Sequence, residues 1–156
     1  MSFWDHIDEL RDRLKIVLFT VVILFVVFMT FSVVTVALGG FQIPMLIPAV
    51  GMDPTSSQVF LALVGLLKPS WVQLAAAHPW DGVLVQVETA IFLAVVVGSP
   101  VIAYEAMGFI GPALKSSEKR LLLRMVAPIS ALFFAGVFLD LFILLPFTIN
   151  FLYQAQ

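Results

Sequence analysis

Apolar residues in this chain come in three long runs, not in the short alternating or amphipathic stretches of a water-soluble domain. No charged residue occurs from Ile16 to Leu38. Val83 to Tyr104 is interrupted only by Gln86 and Glu88 near its start and by Gly98-Ser99-Pro100 near its end. Leu121 to Tyr153 contains only Arg124 and Asp140 as charges. Each run reaches the roughly 20 residues needed to cross a hydrocarbon core. Val, Ile and Phe are abundant in the first run, which in water would favour a strand. In lipid an isolated strand leaves its backbone unsatisfied while a helix satisfies its own, so helix is predicted throughout. The pattern therefore predicts an all-α membrane protein with three transmembrane helices.

The segments between the runs complete the layout. Residues 1–15 repeat Phe3, Ile7, Leu10 and Leu14 on one helical face, with charges on the rest, which predicts an amphipathic helix at the membrane surface leading into span 16–38. Glu9 and Arg13 form an i,i+4 pair with the acid first, the favourable order. Residues 39–82 hold Gly39-Gly40, Pro44, Pro48, Gly51, Pro54, Pro69, Pro79 and a closing Asp81-Gly82, and read as a loop. Within it, Thr55 to Lys68 is apolar but too short to span, which suits an interfacial helix with Thr55 or Ser56 as N-cap. Trp71 and Trp80 fit the aromatic belt at that interface. Pro100 is expected to kink or end the second span, 83–104. Residues 105–120 form a loop with Gly108, Gly111 and Pro112 as breakers, closing on Ser116-Ser117-Glu118 as a helix start. The third segment, 121–156, exceeds one crossing. At ~1.5 Å per residue over a ~30 Å core, the far boundary falls near Leu145, and Phe147 to Gln156 should emerge as a bent extension beyond Pro146. The whole chain reads as a single membrane domain.

Charge adds an orientation. Of the 8 Lys and Arg residues, Arg11, Arg13 and Lys15 precede the first run, Lys115, Lys119, Arg120 and Arg124 flank the start of the last, and Lys68 stands apart. Loops on the cytoplasmic side collect such residues, so the N-terminus is placed inside and the C-terminus outside. A hydrophobic fraction of 62% and a charged fraction of 12% confirm lipid as the solvent, since soluble domains carry about a quarter charged residues. Net charge of −2 averages segments on opposite sides of a membrane and implies no nucleic-acid surface. The acids among the first fifteen residues and the length of the first run argue against a cleaved signal peptide. With no Cys, and with His6 and His78 on opposite sides and outside any ligand spacing, no metal site is expected. Ser99 and Ser130 have no His and Asp arrangement, no phosphate-binding Gly loop occurs, and neither catalysis nor a cofactor is expected.

Four carboxylates stand out. Glu118 sits at the first turn of the third helix, where it complements the helix dipole. Glu9, whose plain reading is part of a solvated charged face that anchors orientation, shares the inner surface with it. Two carboxylates there could each accept a forked, charge-assisted bond from a guanidinium. Glu88 and Asp140 lie at similar depth within spans two and three. An ionised carboxylate there costs roughly 2.5–3.5 kcal/mol at midspan, so each calls for water, a partner or a proton. Ala90, Ala94 and Gly98 form a small-residue stripe suited to helix packing, which is expected to lack its normal partners in an isolated chain and to cause oligomerisation or poor stability.

Three blocks of residues resemble one family. His6-Ile7-Asp8-Glu9-Leu10-Arg11-Asp12-Arg13-Leu14 is similar to the H-x-x-E-L-R-x-R-L signature of TatC, the multi-span receptor subunit of the twin-arginine protein translocase. Ser99-Pro100-Val101-Ile102-Ala103-Tyr104-Glu105, then Phe109-Ile110-Gly111-Pro112-Ala113-Leu114 and Glu118-Lys119-Arg120, resemble the first cytosolic loop of that family. Leu132-Phe133-Phe134-Ala135-Gly136, Leu145-Pro146 and Phe151-Leu152 resemble its third span. The resemblance implies recognition of twin-arginine signal peptides of folded cargo at the cytosolic surface by Glu9 and Glu118. It adds Phe109 as a contact and gives supporting roles to Arg11, Arg13, Pro100, Pro112, Lys119 and Arg120. It also implies a multi-pass protein of a prokaryotic cytoplasmic membrane, partnered by TatA/TatB-type single-span subunits, by other TatC-like copies or a missing C-terminal half, and by lipids. The chain also departs from the family. It matches only the first half, so a shortened form without spans four to six is expected; Glu105 replaces the usual Gln, Met107 the usual Trp, and the outside loop is longer than typical. Two other readings stay open: a membrane scaffold or assembly factor that does not bind cargo, and a proton or ion pathway built on Glu88 and Asp140.

Overall fold

The structure, a computed structural model, describes residues 3–38, 41–50, 53–68, 78–111 and 116–154. Pro112 and Trp71 lie outside the described residues, as do the side chains of Glu118 and Lys119. Helix α1 (Phe3–Thr30) is followed by a hairpin of β1 (Phe31–Leu38) and β2 (Phe41–Pro48), then α2 (Thr55–Leu67), α3 (Asp81–Ile110), α4 (Ser116–Leu139), a π-helical turn (Asp140–Leu144) and α5 (Leu145–Gln154). Among the described residues, three helical stretches are long and apolar enough to cross a membrane: His6–Thr30, Asp81–Ile110 and Arg120–Phe151.

The first helix runs from the charged segment into the apolar run without a break, as Phe3–Thr30 contains neither Gly nor Pro. It stops at Thr30, and the expected helix over 16–38 gives way to strand for its last 8 residues. An all-α fold is thereby corrected. The argument against a strand holds only for an isolated one. Here Phe31 pairs with Pro48 and the register continues to Leu38 against Phe41, so the β1 backbone groups that face β2 are satisfied by a neighbour. Side chains alternate as a half-buried strand requires, with Ser32 buried and Val33 and Thr35 exposed. Pro44 and Pro48 are tolerated because β2 is an edge strand.

The hairpin is tied to α2 by hydroxyl and amide groups. Thr55 Oγ1 donates to the Phe31 carbonyl at 2.7 Å, and Gln58 Nε2 donates to Ser32 Oγ at 2.7 Å. Thr55 and Ser56, expected as N-caps, instead lie inside the first turn and are buried against this contact, with Pro54 at the cap position.

Packing of α1 on α3 forms the centre of the molecule. Ala90 and Ala94 are fully buried, and Gly98 is buried on the same stripe. A Cβ at Gly98 would lie 3.4 Å from Leu24 Cδ1 and 3.9 Å from Thr20 Cγ2, which places α1 directly over it. The stripe expected to lack a partner is therefore filled from within the chain. Small residues let the two backbones approach, the route to helix association when lipid is as apolar as the side chains. Around this seam the helices expose large apolar groups, among them Leu18, Phe19, Leu132, Phe138 and Phe147. A surface of that kind suits lipid and not water.

Pro100 does not end α3, which continues to Ile110. A proline at this position deprives the Val96 carbonyl of its helical donor. Ser99 Oγ donates to that same carbonyl at 2.8 Å, so the group stays satisfied and the helix goes on. Helix therefore covers residues 105–110 and 116–120 of the expected 105–120 loop. Pro146 is handled differently. The π turn lies just before it, with the Leu145 N–H bonded to the Asp140 carbonyl, and helix resumes through Pro146 to Gln154 where a bent extension was expected.

Candidate functional site

The small-residue stripe on α3 leads to a polar cluster. Glu105 lies seven residues after Gly98, two helical turns along the same face, and is buried like the stripe itself. Because α1 runs antiparallel to α3, the residue of α1 that meets it comes from the charged N-terminal segment. That residue is Arg13. Its Nη1 donates to Glu105 Oε2 at 3.1 Å, while Nη2 and Nε donate to Glu9 Oε1 at 2.7 and 3.1 Å. The Glu9–Arg13 pair expected from spacing is thus formed, and a carboxylate from the other helix joins it.

The cluster is partly shielded: side chains retain 27% exposure for Arg13, 21% for Glu9 and 11% for Glu105. A guanidinium keeps its charge here, and its fork can serve two carboxylates in one plane. The arrangement is nevertheless incomplete. Both bonds from Arg13 to Glu9 fall on Oε1, and Glu9 Oε2 is buried with no hydrogen-bond partner. An orphaned buried acceptor costs about 1–3 kcal/mol, more when charged, so this oxygen is a ready acceptor for another donor.

Gly108 forms the floor. A Cβ on it would collide with Arg13 Nη1 and lie 2.8 Å from Cζ, so the guanidinium occupies space that only glycine leaves open on α3. One residue further, Phe109 stacks on His6 with ring centroids 4.4 Å apart and planes at 17°. Two contacts between α1 and α3, one ionic and one aromatic, therefore fix the same end of the bundle.

The other sequence candidates are distributed around this centre. Arg11 is exposed, within 3.8 Å of Asp12. Pro100 lies inside α3, and Arg120 is exposed on α4. Glu118 belongs to the first turn of α4, at the end of the bundle where α3 terminates. Glu88 and Asp140 are both exposed, and no hydrogen bond or ion pair joins them among the described residues. Asp140 lines an open pocket with Phe92, Phe133, Gly136 and Val137. Among the described residues no group of His, Cys, Asp and Glu could hold a metal ion.

Glu105, Gly108 and His6 were not singled out as site residues from sequence. Helical spacing from Ala90 through Gly98 to Glu105 was the available signal, because it puts a carboxylate on the packing face.

These features define a class: a helical protein with three candidate membrane spans whose N-terminal helix is locked to the second span by a buried-edge carboxylate–guanidinium cluster. Residues 5–156 match the family model described as Sec-independent protein translocase protein (TatC), and the chain belongs to that family. It is 30% identical over 158 residues to the Sec-independent protein translocase protein TatC of Cenarchaeum symbiosum, covering 99% of this chain and 58% of that protein. It is 28% identical over 152 residues to TatCy of Bacillus subtilis, covering 97% of this chain and 50% of the relative. Against the chloroplastic protein of Pisum sativum it is 28% identical over 151 residues, covering 97% and 36%. The chain spans about half the length of the curated relatives it matches. No solved structure gives a significant match.

Proposed function

We propose that this chain acts within a Sec-independent protein translocase, where it recognises the paired arginines of signal peptides at the cytosolic membrane surface. In this reading the N-terminus and the α3–α4 link face the cytosol, α2 rests on the opposite leaflet, and the protein works with single-span subunits and further TatC-like chains. Glu9 is the primary acceptor and Glu118 the second, with Phe109 beside them.

One observation carries the reading. Glu9 already binds a guanidinium, that of Arg13, at 2.7 Å, and keeps a second oxygen without a partner. A carboxylate that holds one arginine side chain beside lipid, where water is scarce, has the chemistry to hold another. Family membership supports the same assignment, since the relatives are protein translocase components by description. The scaffold reading draws on the same contact taken as a pure clamp: Glu9 would then serve only to fasten α1 to α3.

The two separate in a binding experiment. With the chain in lipid nanodiscs and a fluorescent paired-arginine peptide, Glu9→Gln and Glu118→Gln should each weaken binding by about 10-fold, the loss of one charge-assisted contact. Unchanged affinity in both variants would leave the clamp as the role of Glu9.

A further inference from the structure

We propose that the pocket beside Asp140, between α3 and α4, is a docking site for a membrane-spanning helix of another chain that carries a basic side chain. The inference needs α3 and α4 to lie in a membrane and is independent of the role given to Glu9.

Both helices build the surface. On α4, Gly136, Val137 and Asp140 lie three, four and seven residues after Phe133, the spacing of one helical face, and Phe92 closes the pocket from α3. The space so lined is about 340 Å³. Gly136 is a notch in it: a Cβ placed there would meet nothing from a neighbouring element within 4 Å. Glycine beside open space lets another backbone approach closely, which is what holds helices together when lipid is as apolar as their side chains. At Gly98 the corresponding space is taken by α1; at Gly136 no described residue takes it.

Charge selects the occupant. Asp140 is exposed at the pocket, and Glu88, one turn from Phe92 on the same side of α3, is exposed as well. Neither carboxylate has a hydrogen bond or ion pair among the described residues, and a carboxylate facing lipid is costly until a donor reaches it. A second copy of this chain does not bring that donor. None of its Lys and Arg lies in α3, in α1 beyond Lys15 or in α4 beyond Arg124, so no cation stands at the level of Asp140. A lipid meets only half of the requirement. Phe92 is nine residues from Val83, where the apolar run begins, and so ~13 Å along the helix, which takes the pocket towards the middle of a ~30 Å core. An acyl chain would fill that depth but has no donor, while a headgroup ammonium stays at the surface. A helix bearing Lys or Arg supplies both together: its backbone lies over Gly136, and its cation reaches Asp140 with Glu88 adding to the attraction.

The test uses the full chain, donor-labelled, in phosphatidylcholine vesicles. The probes are acceptor-labelled leucine-rich peptides of about 20 residues, long enough to span, with one Lys within the apolar stretch or with Leu throughout. Energy transfer should show the Lys peptide associating about 5-fold more strongly than the all-Leu peptide, the size of an interhelical polar contact in lipid. Asp140→Asn should bring the Lys peptide down to the level of the all-Leu peptide. Gly136→Leu keeps the charge and fills only the notch, and it should weaken the Lys peptide by a similar factor. Equal association of the two peptides with the parent, or an Asp140→Asn variant that still prefers Lys, would overturn the proposal. Undiminished association with Gly136→Leu would place the contact elsewhere and overturn it too. If replacing part of the phosphatidylcholine by phosphatidylethanolamine abolishes the preference, a headgroup ammonium is the occupant and the helix is not.

Discussion

Replacing Gly108 by Ala puts a Cβ in the space that the Arg13 guanidinium occupies, within 2.8 Å of Cζ. The obstacle is the end of a flexible side chain, so the guanidinium moves and the helices stay. Arg13 can keep Glu9, one turn away on its own helix, in another rotamer, but the bond to Glu105 across the interface is lost. Hydrogen bonds to charged groups contribute about 1.5–3 kcal/mol when buried and ion pairs under ~1 kcal/mol when exposed; the partial exposure of Arg13 places this bond near 1–2 kcal/mol. Ala returns up to about 1 kcal/mol of helix propensity over Gly. Overall stability should therefore change by less than roughly 1 kcal/mol, while the specific coupling disappears. A double-mutant cycle of Arg13→Gln and Glu105→Gln, read by reversible unfolding in mixed micelles, isolates that coupling. It should be about 1–2 kcal/mol in the parent and below about 0.5 kcal/mol in the Gly108→Ala background. An undiminished coupling in that background would refute the claim that glycine is what admits Arg13 to this face.

Two other perturbations test the packing and the acid of the third candidate span. At Gly98 the nearest atom to a new Cβ is Leu24 Cδ1 at 3.4 Å, an ordinary contact, so Gly98→Ala should leave the unfolding midpoint near that of the parent. Gly98→Leu should lower stability by about 1–3 kcal/mol through overpacking of α1 against α3, and equal behaviour of the two variants would contradict the seam. Asp140 is exposed at the rim of its pocket and pairs with no described residue, so Asp140→Asn and Asp140→Leu should both fold as the parent does. Asp140→Leu should also favour membrane insertion of the third span by about 2–3 kcal/mol in a glycosylation-mapped assay. Loss of folding in both would reveal a partner for the carboxylate.

Much of this architecture could be read from the chain. Candidate spans appear where charge is sparse for the width of a bilayer, and the i,i+4 spacing of Glu9 and Arg13 foretold their bond. Where the reading failed, a long-range or compensating contact decided the outcome. Strand β1 was read as helix because lipid forbids an unpaired strand. Gly39-Gly40 between two β-rich segments was a hairpin signal that would have supplied the partner. Pro100 looked like a terminator because local rules do not show Ser99 taking over the orphaned carbonyl. In the site, helical spacing puts Glu105 on the packing face of α3, but its meeting with Arg13 depends on the antiparallel docking of α1 and α3. The placement of Glu118 relative to Glu9 depends on the α3–α4 link, and Pro112 within it lies outside the described residues.

The claim that this end of the bundle receives paired arginines is tested most directly by cross-linking. Photoreactive groups placed at exposed positions 10 and 121, beside Glu9 and on the first turns of α4, would be presented in membranes to a paired-arginine signal peptide and to the same peptide with paired lysines. Labelling from both positions that is strong with arginine and lost with lysine is the expected result, because only the guanidinium offers a planar fork to the carboxylates. Equal labelling by the two peptides, or none by either, would contradict it.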